Sequence, residues 1–505
     1  MPNVADSVWL QAASAPDRVA VTGSGRRLTF SQLRDGAARV AGAVLESGLQ
    51  PGSRVLLVAP SVPEFPVVYY GLHAAGMIVL TPNTMSTRRE VEYLMEDAGC
   101  SLAVAWHGVG PAPVEAAKAL GVPCWTFGVG ATGIVTAESL SAPRDRDLSD
   151  TAVLLYTSGT IGSPKGAELT VGNLRASAEI FREAMHVTSQ DVFGTALPLF
   201  HIYGQATVMG TALLSGAAIS LMEVFDASKL VAQLESDGVT ILGAVPTMFN
   251  ALLRLSDDAT SAGGARMRIA TSGGASLPPE VLRSFESRFG TPILEGYGLT
   301  ETTGTATFNS IDRNRKVGAT GRPLPGVEMR ILDAEGTEVT PGEVGEIELR
   351  GPTVMKGYWR RPDATAQAFH DGWFRTGDLG AVDQDGDVRI VDRMKDLIIR
   401  GGYNVYPREV EEVLYEHEDI LDVAVVGVPD EYRGEEVCAL VVVRDGSGLD
   451  AAQIRDWAKE RLSAYKVPHR IRFAQALPVG PSGKVLKRAI DVDAFLEPEI
   501  VARNG

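Results

Sequence analysis

The segment at residues 156–166, "YTSGTIGSPKG", gathers glycines, hydroxyls and one lysine behind a short apolar run, "VLLY". A glycine-rich turn after a buried strand can aim several backbone N–H groups at one anion. Thr157, Ser158 and Thr160 add hydroxyl donors, Gly159 and Gly162 add close backbone approach, and Lys165 adds a mobile positive charge. That is chemistry for phosphate. The spacing is not G-x4-G-K-[ST], and Ile161 at the centre has nothing to donate. An ordinary polar loop satisfies the same residues, so the segment alone leaves both readings open.

Two other segments are discounted. Residues 128–133, "GVGATG", fit G-x-G-x-x-G, but "IVTAESLSAPRD" follows where that fingerprint needs a long helix. "GGASL", which starts at Gly273, looks like a carrier-protein serine site but lies amid alternating α/β segments. His201 in "PLFHIYG" is a lone histidine, read equally well as a satisfied core residue.

These residues need a scaffold of several units, because 505 residues exceed what one core supports. The first 150 residues alternate helix-like and buried-strand patterns. "LTFSQLRDGAARVAGAVLESGL" has Thr29 or Ser31 as a cap and Gly48 as a stop; "RVLLVAP" reads as a strand. The alternation continues to "TPILEGYG", which predicts parallel sheets. After about residue 315 short strands and Gly/Pro turns predict a β-rich subdomain. A compact α+β unit follows, with Pro407 opening a helix. The predicted fold is α/β: a large N-terminal domain (1–392) of two α/β subdomains plus a small β-rich one, a hinge (393–396), and a small mobile C-terminal lid (397–505).

Composition narrows the partners. A formal net charge of −16 disfavours nucleic acid and anionic membranes. Cys100, Cys124 and Cys438 form no C-x-x-C pair, so neither a zinc site nor a disulfide framework is predicted. The N-terminus does not read as a secretory signal, and no run reaches 18 apolar residues. A cytoplasmic monomer or homodimer is expected.

Taken in order, "YTSGTIGSPKG", "LPLFHIYG", "EGYGLTE", "WFRTGDLG", "DRMKDLIIRGGYNVYPREVE" and "PSGKVLKR" resemble the adenylate-forming superfamily over nearly the whole chain. That superfamily includes acyl-CoA synthetases, peptide-synthetase adenylation domains and luciferases. The resemblance implies ATP, Mg²⁺ and coenzyme A as reactants and cofactor, and an acyl-adenylate made from a small carboxylic acid. It implies that Asp378 and Arg393 hold the ribose. Tyr297, with Glu295, Gly296, Gly298 and Leu299, lines the nucleotide, and Gly274, Ala275 and Ser276 form the opposite wall. Thr300 contacts the α-phosphate, and Glu301 with Thr157 holds Mg²⁺. Lys484, with Lys487 as its competitor, bridges carboxylate and α-phosphate. His201, Ile202, Tyr203, Met248 and Gly273 line the acyl pocket, where His201 gates the thiol path. Gly401, Gly402 and Tyr403 admit the pantetheine arm, and Lys395 is the hinge.

"VPTMFNALL" carries no arginine, which favours an uncharged acyl chain: a medium or long fatty acid, or an aryl-acrylic acid. The alternatives are loading of a separate carrier protein, a coumarate- or malonate-type CoA ligase, and a nucleotide binder with impaired chemistry. Relatives usually have Thr or Ser where Ile161 stands. Ile161→Thr is therefore expected to lower the ATP KM or raise kcat, since an unpaired phosphate acceptor costs roughly 1–3 kcal/mol.

Overall fold

The computed structural model describes residues 2–134, 138–157, 163–256, 266–480 and 483–496. Four sheets carry the architecture. A nine-stranded sheet runs Arg322–Pro323, Thr307–Phe308, Ile293–Tyr297, Ile269–Ser272, Ile241–Ala244, Val192–Thr195, Ala218–Leu221, Val19–Gly23, Arg26–Thr29. A seven-stranded sheet has Thr151–Thr157 near its middle, between Lys165–Thr170 and Ile78–Leu80. Both are parallel at their centres and antiparallel at one or both edges. This follows from sequence: strands such as "RVLLV" and "LAVAW" are apolar throughout, as strands covered on both faces must be.

The two large sheets share one core. Helix Glu64–Ala74 is buried on every side within it, which suits a helix whose apolar residues do not keep to one stripe. Helix Phe30–Glu46 packs against it. Thr29 caps that helix with a reciprocal box: its hydroxyl accepts from the Gln32 N–H, and the Gln32 side chain accepts from the Thr29 N–H. "GVGATG" forms a short 3₁₀ turn, Val129–Ala131, and opens no helix.

The β-rich region forms a five-stranded sheet that ends at Val388–Arg393. The next strand, Ile398–Arg400, belongs to a different sheet with Tyr403–Val405, Gly434–Val443, Ile420–Asp430 and Arg470–Phe473. That last sheet has its own buried clusters, around Val425, Val437 and Ile454 on one face and Val426, Cys438 and Phe495 on the other. The chain therefore passes between separately packed bodies within four residues. Among the described residues no helix is long and apolar enough to cross a membrane, and the three cysteines are free thiols.

Candidate active site

The glycine-rich segment stands between two antiparallel strands of the seven-stranded sheet. Thr157 ends one and Lys165 begins the other, and they are paired in the ladder. Ser158, Gly159, Thr160, Ile161 and Gly162 lie outside the described residues. The base of the hairpin is held tightly. Tyr93 donates to the Pro164 carbonyl at 2.8 Å. Thr157 Oγ1 donates to Glu301 Oε1 at 3.1 Å, and Tyr358 OH donates to the same oxygen at 3.0 Å. Lys165 Nζ sits 5.3 Å from the centre of the Tyr358 ring. Strand Gly357–Tyr358 adds to the edge of the same sheet, so Tyr358 has a fixed position. A tyrosine within "KGYW" gave no sign of this role in sequence; only the strand pairing shows it.

Glu301 is buried in the 3₁₀ turn Thr300–Thr302, which follows strand Ile293–Tyr297. Its carboxylate, beside a hydroxyl and the lysine-bearing hairpin, supplies hard oxygen donors of the kind Mg²⁺ takes when it shares a site with phosphate. Among the described residues no cluster of three or more His, Cys, Asp or Glu is present. A magnesium ion that draws most of its ligands from phosphate and water does not need one.

Asp378 is buried in strand Trp373–Val382. Its Oδ2 accepts from Tyr297 OH at 2.7 Å, and Arg393 Nε lies 3.5 Å from Oδ1. Burial pushes its carboxyl above the usual range, against the pull of Arg393 and Tyr297. Glu295 pairs with Ser272 across adjacent parallel strands, so their side chains share a face. Glu295 Oε1 accepts from the Leu277 N–H at 3.3 Å. Glu295 Oε2 and Ser272 Oγ are buried and have no hydrogen-bond partner among the described residues. Burial pushes the Glu295 carboxyl up to about 7, with Arg408 opposing. Gly273 is buried, Gly274 half-buried, and Ala275 and Ser276 exposed; Gly296, Gly298, Leu299 and Thr300 are half-buried.

Lys484 comes from the lid and reaches this place. A Cβ on Gly274 would lie 2.7 Å from Lys484 Cε, and Gly274 has φ of +81°. Glycine is required there twice over, by conformation and by approach. Gly483 mirrors it: φ is +77°, and a Cβ would meet Val245 at 2.8 Å. Burial, then Arg393, lowers the Lys484 ammonium to about 8, and Asp378 acts the other way. Lys487 is engaged elsewhere: its Nζ is 2.7 Å from Glu411 Oε1, within the lid. Geometry therefore places Lys484, not Lys487, at the site.

Beside Lys484, His201 accepts from the Tyr203 N–H through Nδ1 at 3.3 Å. Burial and the Lys484 charge push its imidazole down to about 3, so it is neutral at physiological pH. Tyr203 opens an eight-residue π-helix, Tyr203–Gly210, a wide turn uncommon outside functional sites. Its OH lies 2.8 Å from Thr271 Oγ1 and donates to the Thr271 carbonyl at 3.0 Å. A Cβ added to Gly273 would lie 3.4 Å from the Tyr203 ring. Ile202 and Met248 are buried close by.

Gly401, Gly402 and Tyr403 stand apart, at an exposed tip of the lid where Tyr403 stacks on Tyr465 at 4.8 Å. Arg393, Met394 and Lys395 are exposed between the two bodies. The structure thus joins Thr157, Glu301 and Lys165 in one group, and Tyr297, Asp378, Arg393, Gly274, Lys484 and His201 in another, and leaves the Gly-Gly loop outside.

Lys484, from the C-terminal body, thus lies against Gly274 of the large N-terminal body. The sequence pattern of an AMP-binding enzyme matches residues 8–359. The chain belongs to the AMP-binding enzyme family. The pattern of that family's C-terminal domain matches residues 409–484 and so ends on Lys484. A long-chain-fatty-acid–CoA ligase of Bacillus subtilis (strain 168) is 35% identical to this AMP-binding enzyme over 95% of the chain and 92% of its own length. A feruloyl-CoA synthase of an Amycolatopsis species is also 35% identical, over 94% and 96%. The crystal structure of ATP-bound MatB from Rhodopseudomonas palustris has a TM-score of 0.89 at 34% identity, covering 96% of this chain and 98% of that one. The resemblance to adenylate-forming acyl-CoA synthetases holds.

Proposed function

We propose that this AMP-binding enzyme activates an uncharged carboxylic acid with ATP and transfers the acyl group to coenzyme A. In the first half-reaction a carboxylate oxygen attacks the α-phosphorus. The bond from that phosphorus to the bridging oxygen breaks, and pyrophosphate leaves with the electron pair. Lys484, Thr300 and the hairpin neutralise phosphate charge as it redistributes. Asp378 and Arg393 hold the ribose diol, and Tyr297 offers its ring to adenine. The partnerless, buried Glu295 Oε2 suits an exocyclic amino group. Glu301 and Thr157 would hold Mg²⁺, which neutralises phosphate charge when bound. In the second half-reaction the thiol sulfur attacks the acyl carbonyl, AMP leaves, and the thiol proton is released. The lid swings about Lys395 between the two, withdrawing Lys484 and presenting Gly401, Gly402 and Tyr403.

The observation that carries this reading is Lys484 packed against Gly274. It brings a lid cation beside the neutral His201 and the Asp378–Arg393 pair. A medium- or long-chain fatty acid is the first reading of the acid. The wall helix Pro246–Leu253 carries no charge, and the neighbouring Arg254 is taken up by Asp422. An aryl or arylacrylic acid is the second, favoured by the Tyr203 ring held beside Gly273 through its hydroxyl on Thr271. Pyrophosphate release across acetate, octanoate, palmitate, malonate and coumarate, followed by thioester formation with CoA or a carrier thiol, decides. Malonate as the best acid would overturn the uncharged pocket, and transfer to a carrier alone would overturn CoA.

A further inference from the structure

Helix Pro246–Leu253 touches the lid along one face. Thr247 Oγ1 donates to the Gly483 carbonyl at 2.7 Å, next to Lys484. Asn250 Nδ2 donates to Asp422 Oδ1 at 3.2 Å, and Arg254 Nη2 to Asp422 Oδ2 at 2.7 Å. Residues 247, 250 and 254 follow helical spacing, so the three donors lie on one stripe. Their receiver is specific to the lid: Asp422 sits at the irregularity where strand Ile420–Asp430 breaks register with Gly434–Val443. Its side chain is 19% exposed against 46% for Arg254. Tyr415 OH, inside the lid, lies 3.4 Å from its Oδ1. One carboxylate thus takes both of the helix's distal donors, while the proximal donor holds the loop that delivers Lys484.

We propose that Asp422, with Arg254 and Asn250, latches the lid in the orientation that puts Lys484 at the α-phosphate. These are positioning residues for acid activation and are released before acyl transfer. The proposal rests on the two-step reading above. It accounts for the pairing of Arg254, at the end of this helix, with a lid carboxylate.

The test separates the half-reactions. Asp422→Asn and Arg254→Ala are assayed for ATP–pyrophosphate exchange with the accepted acid, and for thioester formation from a supplied acyl-adenylate and CoA. Exchange is expected to fall about tenfold with acyl transfer unchanged, as loss of a part-buried ion pair and its hydrogen bonds implies. The charge-exchanged pair R254D/D422R is expected to recover most of that loss. An equal fall in both half-reactions, no fall in exchange, or no recovery in the exchanged pair overturns the latch. Amide hydrogen exchange of the whole protein gives a readout apart from catalysis. Segments around residues 246–254 and 483–487 should exchange faster in Asp422→Asn than in the wild type, and equal rates overturn the latch. A wild type in which none of the acids supports pyrophosphate exchange overturns the proposed function instead, and the amide comparison still judges the latch.

Discussion

Two lysines stand three residues apart near the C-terminus, and one contact separates them. Lys487 is bound by Glu411 in its own domain, whereas Lys484 enters a buried cleft where its ammonium is destabilised. Lys484→Ala is expected to cut ATP–pyrophosphate exchange by roughly 100-fold or more, as removal of a transition-state charge partner does, while acyl transfer from a supplied adenylate persists. Lys487→Ala should not separate the half-reactions. The lowered Lys484 value has a sign. The charged form is the useful one, so kcat/KM for activation should decline as pH rises through about 8, and acyl transfer should lack that limb. Glu295 works in the opposite sense. Its folded-state value is raised from 4.5 to about 7, so the native state binds the extra proton and loses stability as pH climbs through that window. Glu295→Gln should therefore raise Tm at pH 8 and change it little at pH 5 in a thermal melt. Sequence marked Glu295 as a lining residue but not as a buried acid, because its burial arises from tertiary packing beside strand Ile269–Ser272 and Leu277 that no local pattern shows.

At the level of elements, much was legible. Continuous apolar runs gave the parallel strands, Thr29 gave a helix start, and Pro407 does begin helix Pro407–Tyr415. Three things were not. The strands that flank the glycine-rich segment pair antiparallel, which sequence does not show, since a glycine-rich turn looks alike before a helix or a strand. The π-helix Tyr203–Gly210 has no period that pattern reading tests. Tyr358 acquires its role only from an edge pairing with residues about 190 positions earlier. Loops carry the next prediction. Gly274→Ala puts a methyl where Lys484 Cε lies and strains a positive φ. Activation should fall with acyl transfer affected less, in the same pair of assays. If Gly274→Ala leaves pyrophosphate exchange intact, the lysine is not where this cleft places it.

At the scale of the whole molecule, the lid is a separately cored body joined to the rest by a short exposed connection. A body with its own core can change orientation without repacking that core, once the polar contacts that tie it to the rest of the chain are broken. Composition carries none of this; the boundary expected at residues 393–396 comes from the pattern of strands and turns, and the contact between Lys484 and Gly274 required coordinates. The helix Pro246–Leu253 has two duties in that arrangement. One side, with Met248 buried, is the proposed wall of the acid pocket, and another contacts the C-terminal body through Thr247 and Asn250. A redesign of acid preference that reshapes this helix will therefore also shift how long the lid stays docked. Variants selected for a new acid at Met248 will carry altered turnover on every acid, and screening by overall product alone will confuse the two traits.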